Sequence, residues 1–169
     1  MNYSKALNEC IESAYMVAGH FGARYLESWH LLIAMSNHSY SVAGATLNDY
    51  PYEMDRLEEV ALELTETDYS QDEIFTELPF SHRLQVLFDE AEYVASVVHA
   101  KMLGTEHVLY AILHDGNALA TRILERAGFS YEDKKDQVKI AALRRNLEER
   151  AGWTREDLKA LRQRHRTVA

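Results

Sequence analysis

Two stretches of the chain carry apolar residues at steps of three and four. Leu7, Cys10, Ile11, Ala14, Val17, Ala18 and Phe21 mark the first, and Leu84, Leu87, Phe88, Ala91, Val94, Ala95 and Val98 the second. That period predicts a helix with one buried face in each. The register extends well past the two helices. At an offset of 77 positions, twelve identities fall within 45 positions without a gap, from Ser4 with Ser81, through Leu26 with Leu103 and His30 with His107, to Leu47 with Leu124. The chain is a tandem duplication.

Each copy predicts the same run of helices. Ser28 and Thr105 stand where an N-cap hydroxyl would open a second helix beginning at Trp29 and at Glu106. A third helix is expected over Tyr40–Leu47 and over Asn117–Ala127, the latter stopped by Gly128. A fourth opens near Pro51 and turns Met54, Leu57, Val60, Ala61 and Leu64 inward, with its counterpart starting near Tyr131. Residues 65–79 lack a sustained apolar period and read as a linker. The expected fold is all-α, a pseudo-twofold tandem of two four-helix units. Repeat one spans 3–64 and repeat two 80–140, within a domain over 1–140, and a helical extension covers 141–169. In that extension Gly152 breaks the helical pattern, and Thr154 with Asp157 has the spacing of a capping box. The last helix has few large apolar residues and reads as a link towards a module beyond it.

Composition narrows the class. The 169 residues are 47% hydrophobic with only 2 prolines and 7 glycines, which suits helices around one real core. One cysteine, Cys10, excludes a disulfide framework and fits a reducing, cytoplasmic setting. No apolar run is long enough for a membrane span, and no signal peptide is expected. The net charge of -9 is uneven: residues 1–79 carry 3 basic and 14 acidic residues, whereas 141–169 carry 8 basic and 4 acidic ones. An acidic body repels a phosphate backbone, and the basic tail interleaves Glu148, Glu149, Glu156 and Asp157 with its arginines at helical spacing. Nucleic acid is not an expected partner.

Candidate chemistry is sparse. Glu27 and His30 have the Glu-x-x-His spacing of di-iron bundles, but the second copy reads Gly104-Thr105-Glu106-His107, without the matching acid, so no metal site is expected. His30 and His107 share one position and are read as buried neutral residues that bond a loop carbonyl. Cys10 aligns with Leu87, which makes it a packing residue rather than a nucleophile. No serine-nucleophile elbow, dinucleotide fingerprint or Walker loop occurs, so the chain is read as a binding module and not an enzyme. A metal-binding helical enzyme is the weakest alternative. A free-standing helical regulatory or scaffold protein, binding peptides or partner proteins, is the stronger one.

The segment Leu103-Gly104-Thr105-Glu106-His107-Val108-Leu109, preceded by Ala91 and Ala95 and followed by Ala120, Leu124 and Gly128, resembles the repeat of the Clp N-terminal domain. Its doubling over about residues 3 to 140 is most similar to ClpC-type chaperones of Gram-positive bacteria, partners of the ClpP peptidase. The resemblance implies eight helices in two units and a cytoplasmic module that receives adaptor proteins and marked substrates for a hexameric unfoldase. ATP and magnesium would belong only to ATPase modules outside this chain, and ClpP would be met only through the parent hexamer. The resemblance further implies that phosphorylated arginine on substrates is held by a carboxylate at the second helix and a hydroxyl at the first. In the second copy these are Glu106 and Ser81, beside Thr105. In the first copy Ser4 remains, but Trp29 stands in place of the acid and Glu27 in place of Gly104. Trp29 with Glu27 is therefore expected to form an exposed, more apolar adaptor surface.

Overall fold

The computed structural model describes residues 1–65, 77–115, 119–132, 135 and 137–168. Copy one contributes α1 (Lys5–His20), α2 (Ser28–Ser36), α3 (Val42–Leu47), α4 (Pro51–Met54) and α5 (Leu57–Thr65). Copy two contributes α6 (His82–Val97), α7 (Thr105–His114), α8 (Leu119–Ala127), β1 (Phe129–Ser130), β2 (Val138–Lys139) and α9 (Ile140–Ala151), followed by α10 (Arg155–Val168). The all-α expectation holds. The only strands among the described residues are β1 and β2, two residues each, paired in parallel.

The apolar stripes read from the sequence form the core. Leu7, Ala14 and Ala18 of α1 and Leu84, Ala91 and Ala95 of α6 are fully buried. α1 packs on α2, and α6 on α7. The copies then exchange partners: α3 lies against α7 as α8 lies against α2, and α5 lies against α8 as α9 lies against α3. α9 thus holds in copy two the place of α5 in copy one. The fourth helix expected near Tyr131 starts instead at Ile140, because Phe129 and Ser130 turn into the short strand pair and Phe129 fills the core.

The duplication is also written in backbone hydrogen bonds. Ser4 N–H donates to Leu103 O at 2.8 Å and Leu103 N–H to Asn2 O at 2.8 Å. Its mate is shifted by one repeat: Ser81 N–H donates to Leu26 O at 2.9 Å and Leu26 N–H to Pro79 O at 2.9 Å. Each parallel bridge joins one copy's entry segment to the residues just before the other copy's second helix. The units are pseudo-twofold and interlocked.

Several local expectations shift. The fourth helix of copy one is two pieces, α4 and α5, and the third helix of copy one begins at Val42. The linker expected over 65–79 falls largely on residues outside the described set, as does Asn117. Thr154 and Asp157 do form the reciprocal capping box, at 2.9 and 3.1 Å. The extension is not detached: Leu143 and Leu147 of α9 are fully buried, and Leu161 of α10 is nearly so, with α10 resting against α6.

Candidate functional site

The sequence placed its candidate residues at helix starts. Ser4 and Ser81 are true N-caps: extended in backbone, each accepts from the N–H three residues on, Leu7 and Leu84, at 3.1 Å. Ser28 and Thr105 are not. The helices begin one residue earlier than expected, with Glu27 and Gly104 at the N-cap and the histidines in the third helical position.

That offset explains the histidines. His30 Nδ1 accepts from the Glu27 N–H at 2.9 Å, and His107 Nδ1 from the Gly104 N–H at 2.9 Å. Each ring thus satisfies a backbone donor, where a carbonyl partner was expected. An accepting Nδ1 leaves the proton of a neutral ring on Nε2. Burial pushes His30 down to about 3 and His107 down to about 4. His30 Nε2 is fully buried and has no partner among the described residues, and the His30 and Trp29 rings lie side by side with their centroids 3.9 Å apart.

At the same helix starts the copies supply a carboxylate from different positions. In copy two the Glu106 carboxylate folds back over Gly104, so that any Cβ at 104 would collide with it. It accepts from its own backbone N–H, while burial raises its pKa. Its side chain remains 20% exposed, beside His107 at 3.5 Å. In copy one the acid comes from Glu27, which is exposed, and its carboxylate accepts from Trp29 Nε1 at 2.8 Å. Trp29 corrects the sequence reading: it is 4% exposed, packed edge-on against Phe21 at 4.6 Å. A residue whose ring completes the core cannot anchor a partner. Thr105 is likewise 2% exposed, and its hydroxyl accepts from Ala43 N–H at 3.2 Å, capping α3 across the copy boundary.

The crossed bridges also change which candidates meet. Ser81 was paired with Glu106 as one site of copy two. Its backbone instead bonds Leu26, immediately before Glu27, whereas Ser4 bonds Leu103, the lead-in to Glu106. Two equivalent notches result, each built from both copies. One joins the start of α1 to the start of α7 and holds Ser4 and Glu106; the other joins the start of α6 to the start of α2 and holds Ser81 and Glu27.

One cluster escaped the sequence reading altogether. Tyr40 donates to Glu9, His38 Nδ1–H donates to the Tyr40 oxygen at 2.8 Å, and Ser13 O–H therefore donates to His38 Nε2 at 2.6 Å. It ties α1 to the loop between α2 and α3. The aligned positions Glu90, Asp115 and Asn117 carry no such set, so the repeat gave no signal. Beside it, burial pushes the Cys10 thiol up to about 11, in keeping with a packing role. Among the described residues no group of three or more His, Cys, Asp and Glu could hold a metal ion, and no helix is long and apolar enough to cross a membrane.

Residues 2–127 and 80–152 match the family model of the Clp repeat N-terminal domain. No curated protein sequence matches significantly. Among solved structures, the chain is similar to the Hsp104 N-terminal domain from Candida albicans, with TM-score 0.68 and 18% identity over 93% of this chain and 96% of that one. It is also similar to the N-terminal domain of the chaperone ClpD from Arabidopsis thaliana, with TM-score 0.66 and 16% identity over 89% of this chain and 95% of that one. Likeness at these identities speaks for the fold.

Proposed function

The chain belongs to the Clp repeat N-terminal domain family, and we propose that it receives substrates and adaptors for an ATP-dependent, ClpC-like unfoldase that feeds the ClpP peptidase in the cytoplasm. On this reading residues 1–140 form the docking body, and the basic residues beyond Ala141 lead towards the first ATPase ring. The observation that carries the proposal is the pair of crossed notches, where the N-terminus of one copy's first helix adjoins a carboxylate on the other copy's second helix.

Such a notch suits a ligand with an anionic and a cationic end. Unsatisfied N–H groups at a helix start favour a phosphate, and a carboxylate pairs with a guanidinium. Phosphoarginine carries both. The reading places it at Ser4 and Glu106, with Ser81 and Glu27 as the second, adaptor-facing notch. Trp29 contributes there by holding the Glu27 carboxylate, and Thr105 by fixing the copies together.

Calorimetric titration of phosphoarginine, with arginine-phosphorylated and unmodified casein as protein ligands, tests this. Glu106→Ala removes a charge-assisted pair of about 1.5–3 kcal/mol and should weaken phosphoarginine binding about tenfold to a hundredfold. Ser81→Ala should leave the Glu106 notch unchanged. Equal binding of the two caseins, or an unchanged affinity in the Glu106 variant, would sink the proposal.

A further inference from the structure

Away from both notches, α7, α9 and α10 line a half-open hollow of about 440 Å³, a volume typical of small-molecule sites. Arg144 and Arg145 of α9 and Arg162 of α10 line it, with Tyr110, Glu148 and Leu158. Its polar groups are underused. Among the described residues, none of the three arginines has a hydrogen bond or a carboxylate within ion-pair distance. Tyr110 is 3% exposed, and its hydroxyl has no hydrogen-bond partner among those residues. Glu148, 6% exposed, also lacks one.

Three guanidinium groups against one carboxylate leave the lining strongly cationic within a chain of net charge -9. Nearby, Arg155 and Lys159 of α10 share an adjoining hollow with Arg162 and extend the same field. Surface cations are normally scattered or paired with acids; here two helices line one half-open hollow with theirs, Arg144 half-buried and Arg145 and Arg162 exposed. Guanidinium forks match tetrahedral oxyanions in geometry as well as charge. The Trp153 ring closes on the Tyr110 ring edge-on at 5.2 Å, which makes one wall rigid and aromatic.

We propose that this hollow binds a phosphate group, free or carried as a small monoester, with Arg144, Arg145 and Arg162 as the clamp and the Tyr110 hydroxyl as a further donor. Glu148 is the floor: burial raises its carboxyl above the ordinary value, the three arginines pull it back down, and it stands as one acid against three guanidinium groups. Because the clamp draws on both α9 and α10, an occupied site ties the C-terminal helix to the body. This proposal is independent of the notch reading.

The test is titration of the whole chain with inorganic phosphate, phenyl phosphate and malonate at matched ionic strength, following the arginine Nε–H resonances by NMR. Phosphate should shift the Arg144, Arg145 and Arg162 signals saturably. Arg144→Gln and Arg162→Gln should each weaken binding by about tenfold or more, while Arg24→Gln, on the far loop between α1 and α2, should not. Tighter binding of phenyl phosphate assigns the site to a monoester, and equal or weaker binding to the free ion. Shifts that never saturate, malonate binding as well as phosphate, or unaltered affinity in both clamp variants would overturn the proposal.

Discussion

The two copies share a backbone frame and fill it differently. After α1 the chain turns through Gly22 at φ +60°, with Gly22 N–H on Gly19 O and Ala23 N–H on Ala18 O. After α6 the same turn is made by His99 at φ +58°, with its N–H on Ser96 O and the Ala100 N–H on Ala95 O. At the start of the second helix, copy one sets Glu27 and Trp29 where copy two sets Gly104 and Glu106. In each case a carboxylate covers the helix start, but its backbone origin has moved by two residues. The fourth helices differ most: α4 and α5 directly follow α3, while β1 and β2 intervene before α9. The backbone frame is therefore held while the side chains on it vary in compensated sets, in the core as well as at the surface: Trp29 is buried where Glu106 stays partly exposed.

The second helical residue should separate the copies most strongly. Trp29→Ala removes a buried ring and should cost about 3–5 kcal/mol in urea unfolding. Glu106→Ala loses mainly a helix-terminal charge, about 0.3–1 kcal/mol. Similar costs for the two would mean that Trp29 is not a core residue and that its role as an exposed anchor must be restored.

Acid should act on both copies with the same sign. Above pH 6.5 His30 and His107 are neutral whether folded or unfolded. As pH falls below that, the unfolded chain takes up protons that the folded rings refuse, so stability is lost. The loss is roughly 1.4 kcal/mol per pH unit for each ring. It should end near pH 4 for His107 and continue towards about pH 3 for His30. Unfolding series at pH 7 and 5 on His30→Gln and His107→Gln should each show a shallower slope than wild type. An unchanged slope in both variants would refute the buried neutral assignment.

The smallest effect lies at the turns. A non-glycine residue in the left-handed region is strained, so His99→Gly should raise stability by about 0.5–1 kcal/mol, and Gly22→Ala should lower it by at least as much. A thermal melt of each resolves the sign. Loss of stability in His99→Gly would show that the exposed imidazole makes a contact worth more than the strain.

Much was legible in the sequence because it depends on periodicity. The apolar stripes of α1 and α6, the equivalence of Ser4 with Ser81, the buried pair His30 and His107, and the duplication itself all follow from local spacing and from the offset between copies. That the two serines cap their helices, where Ser28 and Thr105 were expected to, came only from the structure. Only the tertiary structure decided what faces what. Trp29 reads as exposed because its aligned partner is an acid, yet its ring turns into the core while Glu27 takes over at the helix start. Thr105 reads as a local cap, yet it caps α3 of the other copy. Ser81 and Glu106 look like neighbours within one repeat, and they belong to different notches because the entry segments cross. A repeat offset specifies which residues are equivalent. It does not specify whether equivalent segments pair within a copy or between copies, since both arrangements bury the same stripes, and only long-range packing distinguishes them.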